Sequence, residues 1–129
     1  MSIEMKGHRN LLVVGILTFC AIAGWAAKKP QPSDMQTLSG EIMDTLCAAN
    51  GSHQQMMQQM KSMGNDKATC IKQCLLLGAK YALYDDAKHT FYRIDDQAKD
   101  KVEPFAGQRV RITGTLDKKT IKVSDIKAE

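Results

Sequence analysis

Three cysteines and one histidine are the residues whose types and spacing best suit chemistry. They are Cys47, His53, Cys70 and Cys74. The last two cysteines are four positions apart, so they share one face of any helix that contains them. Three thiolates and one imidazole have the number and softness of ligands that a tetrahedral zinc ion takes. These four side chains are therefore a candidate metal site, and a disulfide among the same cysteines is the other interpretation.

Methionines after the histidine leave the metal undecided between zinc and copper. Met56, Met60 and Met63 follow at helical spacing, so they share one side of a predicted helix. Thioethers together with thiolates suit Cu(I), which makes these three residues candidate additional ligands. A methionine stripe at this spacing is also a common packing face. Both interpretations of the stripe stay open at this point.

The same cysteines could instead form a disulfide. A bond from Cys47 to Cys70 or Cys74 would tie the intervening segment to the preceding strand and leave one thiol over. A disulfide that closes a loop of about 23–27 residues would raise the free energy of unfolding by on the order of 3 kcal/mol. A third interpretation is thiol exchange by Cys70 and Cys74, although no thioredoxin-like pattern surrounds this pair.

The remaining sequence carries no common catalytic motif. It contains no G-x-S-x-G, Walker loop or H-E-x-x-H sequence. Two carboxylate pairs, at 85–86 and 95–96, fall in predicted turns, where aspartate often caps backbone amides. We therefore expect a binding or accessory module rather than an enzyme, with thiol redox activity as an alternative.

Aromatic residues on two neighbouring predicted strands form a second candidate site. Together with one adjacent arginine, they are Tyr81, Tyr84, Phe91, Tyr92 and Arg93. In OB-fold barrels such a face binds oligonucleotides or oligosaccharides. Because we expect export, a glycan, peptide or protein partner is favoured and nucleic acid is not expected. The alternation of strand residues would place about half of these aromatics in the core instead.

Residues 1–26 have the layout of a signal peptide. Basic residues precede an uncharged apolar run over 11–27, and Gly24 and Ala26 are the small residues expected before a cleavage site. An uncleaved anchor in the inner membrane is the alternative, because the run approaches the length of a spanning helix. Lipid attachment to Cys20 is a third. With a cleaved signal or an anchor, we expect a periplasmic or secreted domain that meets the membrane only through an uncleaved N-terminal segment.

Length and composition indicate one globular domain. The chain has 129 residues, of which 43% are hydrophobic and 25% charged, and a formal net charge of +4. This charge is too small to indicate nucleic-acid binding. Two prolines mark a polar linker over 27–36, which leaves 37–129 as the domain. Removal of 1–26 would leave three of the four cysteines, in a compartment where paired cysteines oxidise.

Five strand-like segments follow the linker, separated by turns and by one longer segment that is predicted to be helical. The predicted strands are 37–46, 80–84, 90–94, 109–116 and 120–126. Two predicted helices, 53–63 and 67–77, lie between the first and second strands. This order favours a mainly β domain, a small five-stranded OB-like barrel with a helical insert between strands 1 and 2. A small β-sandwich is the alternative.

The whole pattern resembles a family of small secreted bacterial OB-fold-like domains whose function is not established. The residues that carry the resemblance are G-x-I-x-D-x-x-C at 40–47, G-x-H at 51–53, C-x₃-C at 70–74 and V-x-I-x-G-T-L-D at 110–117. It extends over 38–126. The resemblance implies an exported OB-like domain with a Cys/His cluster, and it implies no enzyme activity. The methionine-rich segment after the histidine is longer here than that pattern suggests.

Overall fold

A computed structural model describes residues 34–129 and shows five strands in one ring-like sheet. In chain order they are β1 (Met35–Asp44), β2 (Tyr81–Asp85), β3 (Thr90–Ile94), β4 (Arg109–Asp117) and β5 (Thr120–Ala128). Around the ring the order is β1-β2-β3-β5-β4, and β4 returns to β1. Neighbouring strands are antiparallel except β3 and β5, which are parallel. The prediction of a mainly β domain with five strands is confirmed.

Helices occupy the two long connections between strands. Between β1 and β2 lie α1 (Thr45–Asn50), α2 (His53–Gln59), a 3₁₀ turn (Lys61–Met63) and α3 (Lys67–Leu76). Between β3 and β4 lie α4 (Lys99–Val102) and two flanking 3₁₀ turns, Asp96–Ala98 and Glu103–Phe105. The first connection, residues 45–80, is called the helical insert below.

The hairpin of β4 and β5 follows from alternating apolar and polar residues. Val110 and Ile112 are fully buried, whereas the neighbouring Arg109 and Arg111 are exposed. Such alternation places one face of a strand on a core and the other in solvent. Lys118, with a φ of 56°, lies in the turn between the two strands.

Gly40 lets β1 lie close to two neighbouring strands. Residues 35–41 of β1 pair with β4, and residues 41–44 pair with β2. A Cβ atom at Gly40 would collide with the carbonyl oxygen of Tyr84 on β2. Only glycine permits so close a backbone approach. Gly40 therefore lies next to the point where β1 passes from one neighbour to the other.

The interior of the ring is an aliphatic core, called the ring core below. Its buried members are Ile42, Ile71, Tyr81, Leu83, Ile94, Ala98, Val102, Val110, Ile112 and Ile121. Ile71 is contributed by α3, so this helix packs directly against the ring. The helical insert is thereby attached to the sheet through apolar contact.

The strand β2 is buried on both faces because α1 covers its outer side. All five of its residues are buried. Leu83 belongs to the ring core. Ala82 and Tyr84 belong to a separate outer cluster, which also contains Met43 of β1 and Ala48 of α1.

Boundaries in the first half of the domain differ from the sequence prediction. The predicted strand 37–46 ends at Asp44, because this residue caps α1 and the chain turns into a helix. The predicted helix 53–63 is divided at Met60, whose backbone is extended with φ −127° and ψ 94°. The methionine-rich segment is therefore a short helix followed by a 3₁₀ turn rather than one continuous helix.

The predictions for the N-terminal segment lie largely outside the described residues. The signal peptide over 1–26, its alternatives and most of the linker over 27–36 come before the first described position. Strand β1 begins at Met35, within the last two positions of the predicted linker. In the described part of the chain, no helix has the length and apolarity needed to cross a membrane.

Candidate metal centre

The helical insert places the predicted ligands next to the ring. Cys47 lies in α1, His53 begins α2, and Cys70 and Cys74 lie one turn apart on α3. The three cysteines pack with Met63 in a buried cluster. His53, with only 2% of its surface exposed, lies against this cluster. The three cysteines and His53 are together called the Cys/His centre.

Capping interactions fix the short helices that carry the centre. The Oδ1 atom of Asp44 accepts two backbone N–H groups at 2.9 Å, one of them from Cys47, and so sets the start of α1. Gly51, with φ 72°, ends α1, and the Ser52 hydroxyl caps α2. A thiol and an imidazole are thereby held on either side of one tight turn.

The three thiols are fully buried, and those of Cys70 and Cys74 both lie near Cys47. The Sγ atoms of Cys47 and Cys70 are 3.8 Å apart. No disulfide joins the cysteines within residues 34–129. Two thiolates on one tetrahedral zinc would also lie about 3.8 Å apart, given a Zn–S bond of about 2.3 Å. The separation is also ordinary contact between sulfur atoms, so it permits a shared metal without requiring one.

Two overlapping sets of side chains have the geometry of metal ligands. In the first set, one potential ligand atom each from Cys47, His53 and Cys70 lie within 4.8 Å of one another. In the second, the same holds for Asp44, Cys47 and Cys74. All five residues are buried. These sets could hold a metal ion, and Cys47 belongs to both.

The imidazole of His53 is buried without a hydrogen-bond partner on either nitrogen among residues 34–129. Its Nε2 atom is 3.5 Å from Oε1 of Glu41, and its Nδ1 atom is 4.0 Å from Oδ2 of Asp44. Those two carboxylate oxygens also lack a partner in this part of the chain. We call these four atoms the unsatisfied atoms. Buried polar atoms in proteins are nearly always hydrogen-bonded, and a bound ion or water molecule could satisfy such a group of atoms.

Burial sets the protonation of the centre. Burial, followed by the nearby Asp44 carboxylate, raises the pKa of the Cys47 thiol far above its usual range. Burial also raises the pKa of Cys74 to about 12. Burial lowers the pKa of His53, against the opposing effect of Glu41 and Asp44. Without a metal, the thiols of Cys47 and Cys74 are protonated and the imidazole of His53 is neutral, so a metal ion must displace the protons of these two thiols to bind them.

Carboxylates stand beside both nitrogens of the histidine. If Nδ1 binds a metal, Nε2 faces Glu41. If Nε2 binds the metal, Nδ1 faces Asp44. Metal-bound histidines usually donate their second N–H to such an outer partner, which orients the ring. Glu41 is itself fixed by Lys67 of α3, whose Nζ donates to Oε2 at 2.7 Å.

The methionines divide between the centre and the solvent. Met63 is 4% exposed and belongs to the thiol cluster, and Met56 packs against it. Met57, which the helical spacing did not select, packs there as well. Met60 is 42% exposed and lies outside the cluster, because the extended backbone at this residue turns it away from α2. The structure therefore separates Met60 from Met56 and Met63, and the role of these three residues as additional ligands stays a prediction.

The five predicted residues of the aromatic face do not share one exposed surface. Tyr81 belongs to the ring core and is 7% exposed, whereas Tyr84 belongs to the outer cluster and is 8% exposed. Phe91 packs against the outer cluster and Tyr92 against the ring core. Only Arg93 among the five is fully exposed in residues 34–129. The physical reason is strand alternation, together with the cover that α1 provides on β2.

Two acidic residues that lie beside the Cys/His centre were not predicted to be there. Asp44 lies between an apolar strand and a helix. Aspartate commonly begins a helix and glycine commonly ends one, so Asp44 followed by Gly51 seven residues later indicates a short helix. Glu41 gives no such local signal. It reaches His53 and Lys67 only because the helical insert folds back across β1.

Comparison with known proteins adds no relative to this description. The chain matches no protein family, no curated protein and no solved structure. The centre is therefore interpreted from its own geometry.

Proposed function

We propose that this protein is an exported, non-enzymatic OB-like module whose Cys/His centre binds a soft metal ion, zinc or copper. One observation carries the proposal. The buried imidazole of His53 has no hydrogen-bond partner among the described residues, and it lies among thiols and carboxylates. A metal ion is the ligand that these donor types suit.

The strand arrangement supports the OB-like part of the proposal. The order β1-β2-β3-β5-β4, closed by a parallel contact between β3 and β5, suits a five-stranded Greek-key barrel. The short helix α4 between β3 and β4 covers one end of the ring, since Val102 belongs to the ring core. Export is proposed from the apolar N-terminal run alone.

A metal accounts for the centre better than a disulfide does. A bond between Cys47 and Cys70 would consume two thiols and leave the imidazole of His53 buried without a partner in residues 34–129. Each buried unsatisfied polar group costs about 1–3 kcal/mol. A metal bound by Cys47, His53 and Cys70 would use one imidazole nitrogen and bring the other towards a carboxylate. Cys74 and Asp44 form, with Cys47, a second possible set of ligands.

Metal content and free thiols of the purified protein test this proposal directly. We expect about one zinc or copper ion per chain. His53→Asn should abolish binding, whereas His89→Asn, in an exposed turn, should retain it. The histidine at 89 has a φ of 48°, a conformation that asparagine tolerates, so the control variant is not strained. A chelator should lower the unfolding free energy by about 2.7 kcal/mol where the free metal stands at 100 times its dissociation constant.

Two results would contradict metal binding at the Cys/His centre. Mature protein, without residues 1–26, that is purified without reductant and contains one free thiol and no metal would establish the disulfide and overturn the metal site. Equal metal content in the variants at 53 and 89 would show that the bound ion lies elsewhere. Loss of metal in Cys47→Ala is expected as well, because this residue belongs to both sets of ligand atoms.

A further inference from the structure

An open cleft of 480 Å³ lies directly beside the Cys/His centre. Its walls include Glu41, Met43, His53, Met57 and Lys67. Two of these residues also belong to or contact the centre. His53 is one of the candidate ligands, and Met57 packs against the thiol cluster. The cleft is therefore lined by a candidate ligand residue and by a neighbour of the thiol cluster, while the three cysteines of the centre are not among its lining residues.

The acidic groups in the cleft wall are paired with cations. Glu41 forms an ion pair with Lys67, and Asp86 forms one with Arg109. These pairs reduce the attraction of the cleft for hard cations, which prefer carboxylate oxygens. Three of the residues that line the same space carry soft donor atoms, namely Met43, Met57 and His53.

We propose that this cleft is the uptake site for Cu(I), which Met43 and Met57 receive and His53 passes to Cys47 and Cys70. The inference rests on the proposed function and adds the identity of the ion and its route. Thioether sulfur is a good ligand for Cu(I), whereas zinc is bound by thiolate, imidazole and carboxylate. A route lined by two methionines therefore distinguishes the two ions. No electron is transferred, and the thiol protons leave to solvent as the ion binds.

The burial of the two methionines makes the route specific rather than a general property of the surface. Met43 is 4% exposed, yet it lines the cleft. Met57 is partly buried between the cleft and the thiols. Met60, three residues further along, is 42% exposed and lies outside both. The chain thus supplies a matched control for each methionine of the route.

The experiment follows the transfer of Cu(I) from its bathocuproine complex to the reduced, metal-free protein without oxygen. Met57→Leu and Met43→Leu should slow this transfer on the order of tenfold, the lower range for loss of an outer partner of a metal. Leucine has nearly the volume of methionine, so packing is preserved. Met60→Leu should behave as the unmodified protein. The final copper content should not change in any variant, and zinc uptake should not respond to these changes.

The outcomes separate this inference from the proposed function. Equal transfer rates in the variants at 57 and 60 would overturn the route, as would an equal slowing of zinc uptake. If zinc binds while Cu(I) stays with bathocuproine, the metal centre stands and the copper route fails. If neither ion binds, the proposed function fails and the route fails with it.

Discussion

The ring core and the Cys/His centre are neighbouring buried regions built from opposite kinds of atoms. Ile42, Leu83 and Ile112 in the ring core are fully buried and expose only carbon to one another. The centre buries three thiols and an imidazole at similar depth, beside the buried carboxylate of Asp44. Aliphatic groups complete their interactions with one another through close packing. The polar groups of the centre need a further partner.

The helix α3 belongs to both regions. Ile71 faces the ring core, while the flanking Cys70 and Cys74 face the centre. The ring core therefore positions the thiols, although it contributes no ligand itself. The difference between the regions shows how a small domain can hold a reactive cluster. Apolar packing in the ring core stabilises the fold, and α3 holds two of the thiols at its edge.

The largest expected effect tests whether stability resides in the ring core. Leu83→Ala should lower the free energy of unfolding by about 2–5 kcal/mol, through lost burial and a cavity. Because the leucine lies in the ring core, the loss should be similar with and without a chelator. Urea denaturation under both conditions measures it. A loss confined to the chelator-free sample would place the stabilising interactions in the centre instead.

A smaller effect of opposite sign is expected in the centre. In metal-free protein, His53→Leu should raise the free energy of unfolding by about 1–3 kcal/mol, because it removes buried nitrogens that have no partner among residues 34–129. The same variant should lose metal binding. Urea denaturation of chelator-treated samples provides the comparison. Destabilisation of the metal-free variant would show that the imidazole supports the fold by itself.

The smallest effect concerns the exposed start of α3, the helix shared by the two regions. Asp66 accepts the backbone N–H of Thr69 at 2.9 Å and its hydroxyl at 2.7 Å. These bonds lower its pKa below the ordinary value of 3.8. The stabilisation is therefore complete above that value and is lost as the pH falls through the lowered pKa. Asp66→Asn should make stability less dependent on pH in this acid range.

Unfolding free energies measured across the acid range check the last prediction. Asparagine keeps the capping geometry but does not titrate. The variant and the unmodified protein should therefore differ mainly in the slope of the unfolding free energy against pH. The change should be slight, since the carboxylate is exposed and screened by solvent. Parallel pH profiles for the two proteins would show that this cap does not contribute to acid sensitivity.

Local patterns in the sequence were sufficient to predict the strands of the ring. The alternation from Arg109 to Ile112 and the short turn before Thr120 depend only on neighbouring residues, and both appear in the structure. The start of α3 behind Asp66 was equally local. These features need no knowledge of distant parts of the chain.

The composition of the centre could be predicted only in part, because it depends on contacts between distant segments. The four predicted ligands came from residue type and spacing, and the structure brings Cys47, His53 and Cys70 together. Glu41 escaped prediction since its contact with Lys67 joins β1 to α3. The helix α1 escaped because spacings of four residues suit one face of a strand as well as of a helix.

The ring closes through a short seam where β3 meets β5. Within residues 34–129, two residue pairs are in register there, whereas β4 and β5 pair along most of their lengths. Amide hydrogens at a short seam exchange through local opening more readily than those in a long hairpin. Glu41 and Asp44 lie on β1, whose neighbours in the ring are β2 and β4. The contact between β3 and β5 can therefore open locally while β1, which carries these two acids, stays paired with β2 and β4.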